Sequence, residues 1–155
     1  NEGPWRRGSR GEVLLERPTT DAIVPVPAES AVEWTFVDTN WTALFDSRTG
    51  WPESLVRTLD EVVLVTNATV PGLRRLESCA ELLGRDALGV VVGPTAKRWP
   101  RSVKVAAAGI PARVHLADFP LDSRLQVTGL TPDPLPAPLL KAAENVLARL
   151  RKEPT

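Results

Sequence analysis

The sequence predicts an α/β fold with a mainly parallel sheet flanked by helices on both faces. Three observations point there. Short apolar runs such as Glu61 to Thr66 (EVVLVT) have the continuous character of strands buried on both sides. Amphipathic stretches lie between them and open on Pro. The two patterns alternate along the chain, which calls for crossover connections between parallel strands.

Asn1 to Arg10 combines Gly, Pro, Ser and three Arg without apolar periodicity, and reads as a flexible leader outside the core. Gly11 to Glu16 (GEVLLE) suits a short strand. Pro25 and Pro27, which cannot donate to a central ladder, make the next stretch an edge strand or covering loop. Val32 to Asp38 (VEWTFVD), Glu61 to Thr66, Leu88 to Gly93 (LGVVVG) and Ala112 to Ala117 (ARVHLA) are the expected sheet.

Helices are expected between these strands. Pro52 opens WPESLVRTL, with Leu55, Val56 and Leu59 as its apolar face. Pro71 opens the next helix, in which Leu73, Leu76, Ala80 and Leu83 form a stripe; Arg74, Arg75, Glu77 and Glu81 lie off it, and Gly84 stops it. A short Ala-rich helix runs from Pro100 to Gly109. The last helix, APLLKAAENVLARLRK, places Leu139, Leu140, Ala143, Val146, Leu147 and Leu150 on one side. The expected organisation is a leader over 1–10 and one α/β domain over 11–155.

At 155 residues one core can bury roughly two-thirds of the unfolded surface. The 43% hydrophobic and 25% charged residues are those of a folded chain rather than a disordered one. Lys plus Arg and Asp plus Glu both number 19, so no net field draws the chain to nucleic acid or to an anionic membrane, although a local patch is compatible with that balance. The lone Cys79 excludes an internal disulfide, and with the lone His115 it excludes a site of clustered Cys and His ligands. No apolar run nears the ~20 residues that span a bilayer. A cytoplasmic, reducing setting is the expectation.

The stretch from Val32 to Leu150 resembles the MinD/ParA/CpaE group of P-loop ATPases in order and local wording. The matching pieces are Phe36-Val37-Asp38-Thr39, then Asp60-Glu61-Val62-Val63-Leu64-Val65-Thr66, then Pro71-Gly72-Leu73-Arg74. Further on come Val90-Val91-Val92-Gly93-Pro94, Phe119-Pro120-Leu121-Asp122-Ser123-Arg124-Leu125 and Gly129-Leu130. The resemblance implies a Rossmann-like, P-loop NTPase-type architecture.

The chain departs from the group at the residues that handle phosphate. The group's activity rests on G-x-x-x-x-G-K-[ST], a loop that cradles phosphates on its backbone amides. No such string occurs in the sequence: Gly93-Pro94-Thr95-Ala96-Lys97 lacks the spacing, and Gly8-Ser9-Arg10-Gly11 precedes a strand. The group's base-binding Asn is replaced by Gly93 or Pro94.

The resemblance with these departures implies a non-catalytic, degenerate relative that acts in protein association, homodimers included, with no cofactor of its own. The alternative is the nucleotide-binding half of an ATPase whose P-loop lies upstream, binding ATP and Mg²⁺. A third reading is a stand-alone flavodoxin-like binding fold.

In open parallel sheets ligands bind beyond the C-terminal strand ends. The residues expected there are Asp38, Thr39, Asn40, Asn67, Thr69, Thr95, Lys97, Arg98, Asp118, Pro120 and Asp122. The resemblance puts Asp38 where Mg²⁺ or its water would sit; the plain alternative is a cap. Lys97 and Arg98 suit an anion or a solvated surface. Trp41, Trp51 and Trp99 suit either a partner-binding patch or a cover over the sheet's open end.

His115 reads as structural and Cys79 as a buried small hydrophobe. The basic end of the last helix, Lys141, Arg149, Arg151 and Lys152, resembles the membrane tail of MinD, but its apolar side suits packing on the sheet, and membrane contact is not expected.

Overall fold

The computed structural model describes residues 5–18, 33–39, 56–129, 131 and 133–151. The chain forms two compact units, Asn1–Thr58 and Leu59–Thr155.

The first unit holds an antiparallel hairpin of β1 (Trp5–Arg10) and β2 (Val13–Pro18). Its two-residue turn has Gly11 at φ 60°, while Glu12 keeps a negative φ. That is the pattern of a type II′ turn, whose twist matches the flanking strands. The residues that read as an irregular leader therefore include a regular strand. Arg6 to Arg10 are all exposed. The strand expected over Val32 to Asp38 is not found, since residues 33–39 form none. Trp34 and Phe36 stack on each other there, with ring centres 5.9 Å apart, while Phe36 stays 67% exposed.

The second unit is a mixed α/β structure built on a three-stranded parallel sheet. Its elements are β3 (Val63–Asn67), α1 (Val70–Leu83), β4 (Ala87–Val92), a 3-10 turn (Ala96–Arg98), α2 (Arg101–Ala108), β5 (Val114–Phe119), α3 (Ser123–Thr128) and α4 (Ala137–Leu150). The strand order is β3-β4-β5, with Val65 opposite Val90 and Val90 opposite Ala117. The apolar runs at 61–66, 88–93 and 112–117 are thus strands, each within two residues of the expected bounds, but β3 lies at the sheet's edge with Val65 68% exposed, so the run at 61–66 is not buried on both faces. The strand-like character of β4 follows from its position between two neighbours, which buries Ala87 to Val90 together with Val91.

Local chemistry sets the ends of α1. Thr69 is its N-cap, its hydroxyl accepting from the Gly72 amide at 3.1 Å, and Pro71 occupies the first turn where a missing N–H is harmless. Gly84 closes the helix at φ 63°, a left-handed geometry that costs a side chain about 1–2 kcal/mol. Arg113 donates to the Ala80 carbonyl at 2.9 Å, placing a cation at the negative end of the helix.

The core forms where α1 and α2 cover one face of the sheet. Leu73 and Leu76 of α1, Val91 of β4, and Val103 and Ala106 of α2 pack with Trp99. Full burial of a Leu or Val side chain contributes about 1.5–3 kcal/mol, so this cluster is the main apolar term holding α1 and α2 down. Gly89 allows the close fit: an added Cβ would stand 2.7 Å from Leu116 Cδ2 and 3.0 Å from Val114 Cγ1. On the other side α4 lies against β5, with Leu139, Ala142 and Leu150 buried. Arg149 of that helix donates to the Leu116 carbonyl at 3.0 Å. The last helix packs on the sheet, and its basic end is partly spent on that contact.

No helix among the described residues is long and apolar enough to cross a membrane.

Candidate strand-end site

Parallel pairing brings the exits of β3, β4 and β5 to one edge. Asn67 ends β3, with Ala68 and Thr69 after it; after β4 come Gly93 to Arg98, and after β5, Pro120 to Asp122. Two backbone bonds stitch these exits together. The Ala68 amide donates to the Val92 carbonyl at 3.0 Å, and the Gly93 amide to the Phe119 carbonyl at 2.9 Å.

Several amides along this edge are occupied by the chain's own oxygens. Asp118 Oδ2 accepts from the Ala96 amide at 3.1 Å. Asp122 Oδ1 accepts from the amides of Arg124 and Leu125 at 2.9 and 3.2 Å, and caps α3. Thr69 does the same for α1. Gly72 makes the turn before α1 tight: a Cβ there would stand 2.6 Å from the Asn67 carbonyl oxygen and 2.7 Å from the Thr66 hydroxyl. The turn folds back onto the helix and leaves no room for a side chain.

The expected site residues divide between the two units. Asn67, Lys97, Arg98, Pro120 and Asp122 lie at or just past the strand ends of the second unit; Asp38 and Thr39 are exposed residues of the first. Asn40, Trp41, Trp51 and Lys152 lie outside the described residues. Lys97 and Arg98 are exposed on the 3-10 turn, and the Lys97 carbonyl accepts from Lys104 Nζ at 3.4 Å. Asp122 is a cap, the plainest role open to it.

Trp99 does not form part of a surface patch. It is buried in the core cluster, and its indole Nε1 donates to the Pro94 carbonyl at 2.7 Å. The loop after β4 is closed from inside by this ring.

His115 is exposed on β5. Cys79 is buried on α1, and loss of hydration pushes its thiol pKa up, which makes it a poor nucleophile. Among the described residues no three His, Cys, Asp or Glu side chains are grouped to hold a metal ion.

Sequence reasoning did not anticipate a shallow groove of about 440 Å³ where β5 meets α4, lined by Ala117, Asp118, Asn145, Ala148 and Arg149. Asn145 and Arg149, four residues apart on α4, share one face of the helix and are readable from the sequence as neighbours. Their meeting with Asp118 is not.

Comparison with protein-family models, with curated proteins and with solved structures finds no match for this chain. The class that the fold defines is a mixed α/β unit on a parallel sheet, joined to a hairpin-bearing unit.

Proposed function

We propose that this chain is a degenerate MinD/ParA-like domain, P-loop NTPase-like in architecture, that performs no catalysis and acts by protein association to position or regulate a larger assembly. Self-association into a homodimer is one form this takes. The supporting observation is the occupied strand-end edge. Thr69, Asp118 and Asp122 accept from the amides that a phosphate would need, and the sequence carries no Gly-rich phosphate loop to replace them. A phosphate arriving beside Ala96 would have to displace a carboxylate and then meet it as a like charge. Charge-assisted contacts to phosphate are the main source of affinity at nucleotide sites, and at Ala96 the Asp118 carboxylate competes with a phosphate for the amide beside the exposed Lys97 and Arg98. A cytoplasmic setting goes with this reading, since its one thiol is a buried, unpaired cysteine.

Calorimetric titration of the chain with Mg-ATP tests the proposal. The expected result is no saturable heat and no phosphate release. Micromolar affinity with turnover would overturn it in favour of an ATPase in which Asp38, Thr39, Asn67, Lys97, Arg98, Pro120 and Asp122 serve the nucleotide.

A further inference from the structure

The two edges of the parallel sheet are finished differently. In β3 the Val62 carbonyl accepts from the Leu88 amide at 2.9 Å and the Ala68 amide donates to the Val92 carbonyl at 3.0 Å, so the even-numbered residues turn their backbone groups toward β4. The amides and carbonyls of Val63 and Val65 and the Asn67 amide therefore point away from the sheet, and among the described residues β3 pairs with β4 alone. The Asn67 carbonyl is taken by the Thr69 amide at 2.7 Å. On β5 the outward positions are Val114, Leu116 and Asp118, since the Arg113 and Phe119 carbonyls face β4. There Arg149 donates to the Leu116 carbonyl at 3.0 Å, the Val114 amide donates to the Pro111 carbonyl at 2.9 Å, and Asp118 adds a carboxylate.

Sheets protect an edge with charge, Pro or a covering element, because a row of free amides and carbonyls pairs readily with another extended chain. β5 has such protection and β3 has none: its sequence, Val-Leu-Val-Thr-Asn, holds no charge and no Pro. Leu64 packs against the core under α1 and α2, and by alternation Val63 and Val65 show on the opposite face. Val65 is 68% exposed there, an apolar side chain beside an unpaired strand edge.

We propose that the β3 edge pairs antiparallel with the β3 edge of a second copy of this chain, about a two-fold axis at Val65, joining the two three-stranded sheets into one. Under that rotation each Val65 amide meets the other copy's Val65 carbonyl, Val63 comes opposite Asn67, and the two Val65 side chains stand roughly 5 Å apart on the same face. The pairing is isologous and closes on itself, so it gives a dimer and not a fibre. A two-fold axis doubles every charge beside it, which an uncharged edge tolerates, and the balance of 19 basic and 19 acidic residues leaves no net repulsion between copies. A charged peptide would find nothing along Val63 to Asn67 to answer its charge. The inference rests on the protein-association reading and assigns the surface.

Sedimentation equilibrium of the full chain, with amide exchange followed by NMR, tests it. A monomer-dimer equilibrium is expected, in which the Val63 and Val65 amides exchange more slowly as the concentration rises. Val65→Lys sets two ammonium groups across the axis and should weaken the dimer about tenfold; Val65→Glu should do the same. An equimolar mixture of the two variants should recover it, because Lys then faces Glu, and that rescue separates lost pairing from lost folding. The inference is overturned by a monomer at every concentration, by a dimer that Val65→Lys leaves intact, by concentration-dependent protection at β5 or the hairpin instead, or by Val63 and Val65 amides already protected in the dilute monomer, which would mean that the chain covers its own edge. ATP turnover beside an intact dimer would sink the non-catalytic reading alone; a monomer silent toward ATP would sink the edge pairing alone.

Discussion

Asp118 Oδ2 accepts the Ala96 amide proton at 3.1 Å, so the end of β5 holds down the loop that leaves β4. Both groups are exposed, and water can take over when the carboxylate is removed. Asp118→Ala should therefore cost no more than about 1 kcal/mol in urea unfolding, while amide exchange quickens over Ala96–Arg98. Unchanged exchange at Ala96 would show that the bond does not hold the loop.

Trp99 separates a core role from a surface role. Trp99→Phe keeps an aromatic ring but loses the bond to Pro94 and part of the buried indole, at about 1–3 kcal/mol. Trp99→Ala should cost about 3–5 kcal/mol. Denaturant unfolding of the pair decides it, since an exposed patch residue would change stability by less than about 0.5 kcal/mol in either variant.

Two glycines should respond to alanine for different reasons. At Gly89 the added methyl meets Leu116 and Val114, an overpacking worth about 1–3 kcal/mol. At Gly84 there is open space, and the expected loss, about 1–2 kcal/mol, comes from φ 63° alone. Relieving the crowding with Leu116→Ala should reduce the first penalty and leave the second untouched.

Cys79 makes stability fall on the alkaline side. Burial raises its thiol pKa above the ordinary 9.0, so in alkali the unfolded chain loses its proton first. The contribution is whole below pH 9.0 and is lost as the pH climbs toward the folded value. Cys79→Ala should flatten that part of the stability profile. In the native protein the thiol should react with a disulfide reagent far more slowly than in urea.

Much of the second unit is legible in the sequence because its signals are local. The Pro71 opening, the Gly84 stop and the Leu73/Leu76/Ala80 stripe each act within one helix, and the run at Val62 to Val65 reads as a strand wherever it pairs. The hidden features depend on distant partners. Trp5 to Arg10 looks irregular until β2 pairs with it. Trp99 looks like a loop aromatic until α1 and β4 surround it. Asp122 reads as a loop residue because nothing in Pro120 to Leu125 distinguishes a turn from a six-residue helix capped by that carboxylate. Val32 to Asp38 has strand composition, yet residues 33–39 pair with no strand, and Trp34 and Phe36 stack only on each other. For the site, residue types at the strand exits can be named from the sequence, but not which oxygens already occupy the amides.

Arg85 grips the chain just ahead of β3, donating to the carbonyls of Leu59 and Asp60 at 2.9 Å each. Every buried apolar residue among those described falls between Val62 and Leu150. The clamp thus works like a selvage, binding the margin of the parallel sheet to its own fabric. A protease that severs the backbone ahead of Leu59 should release a piece that keeps its cooperative melting.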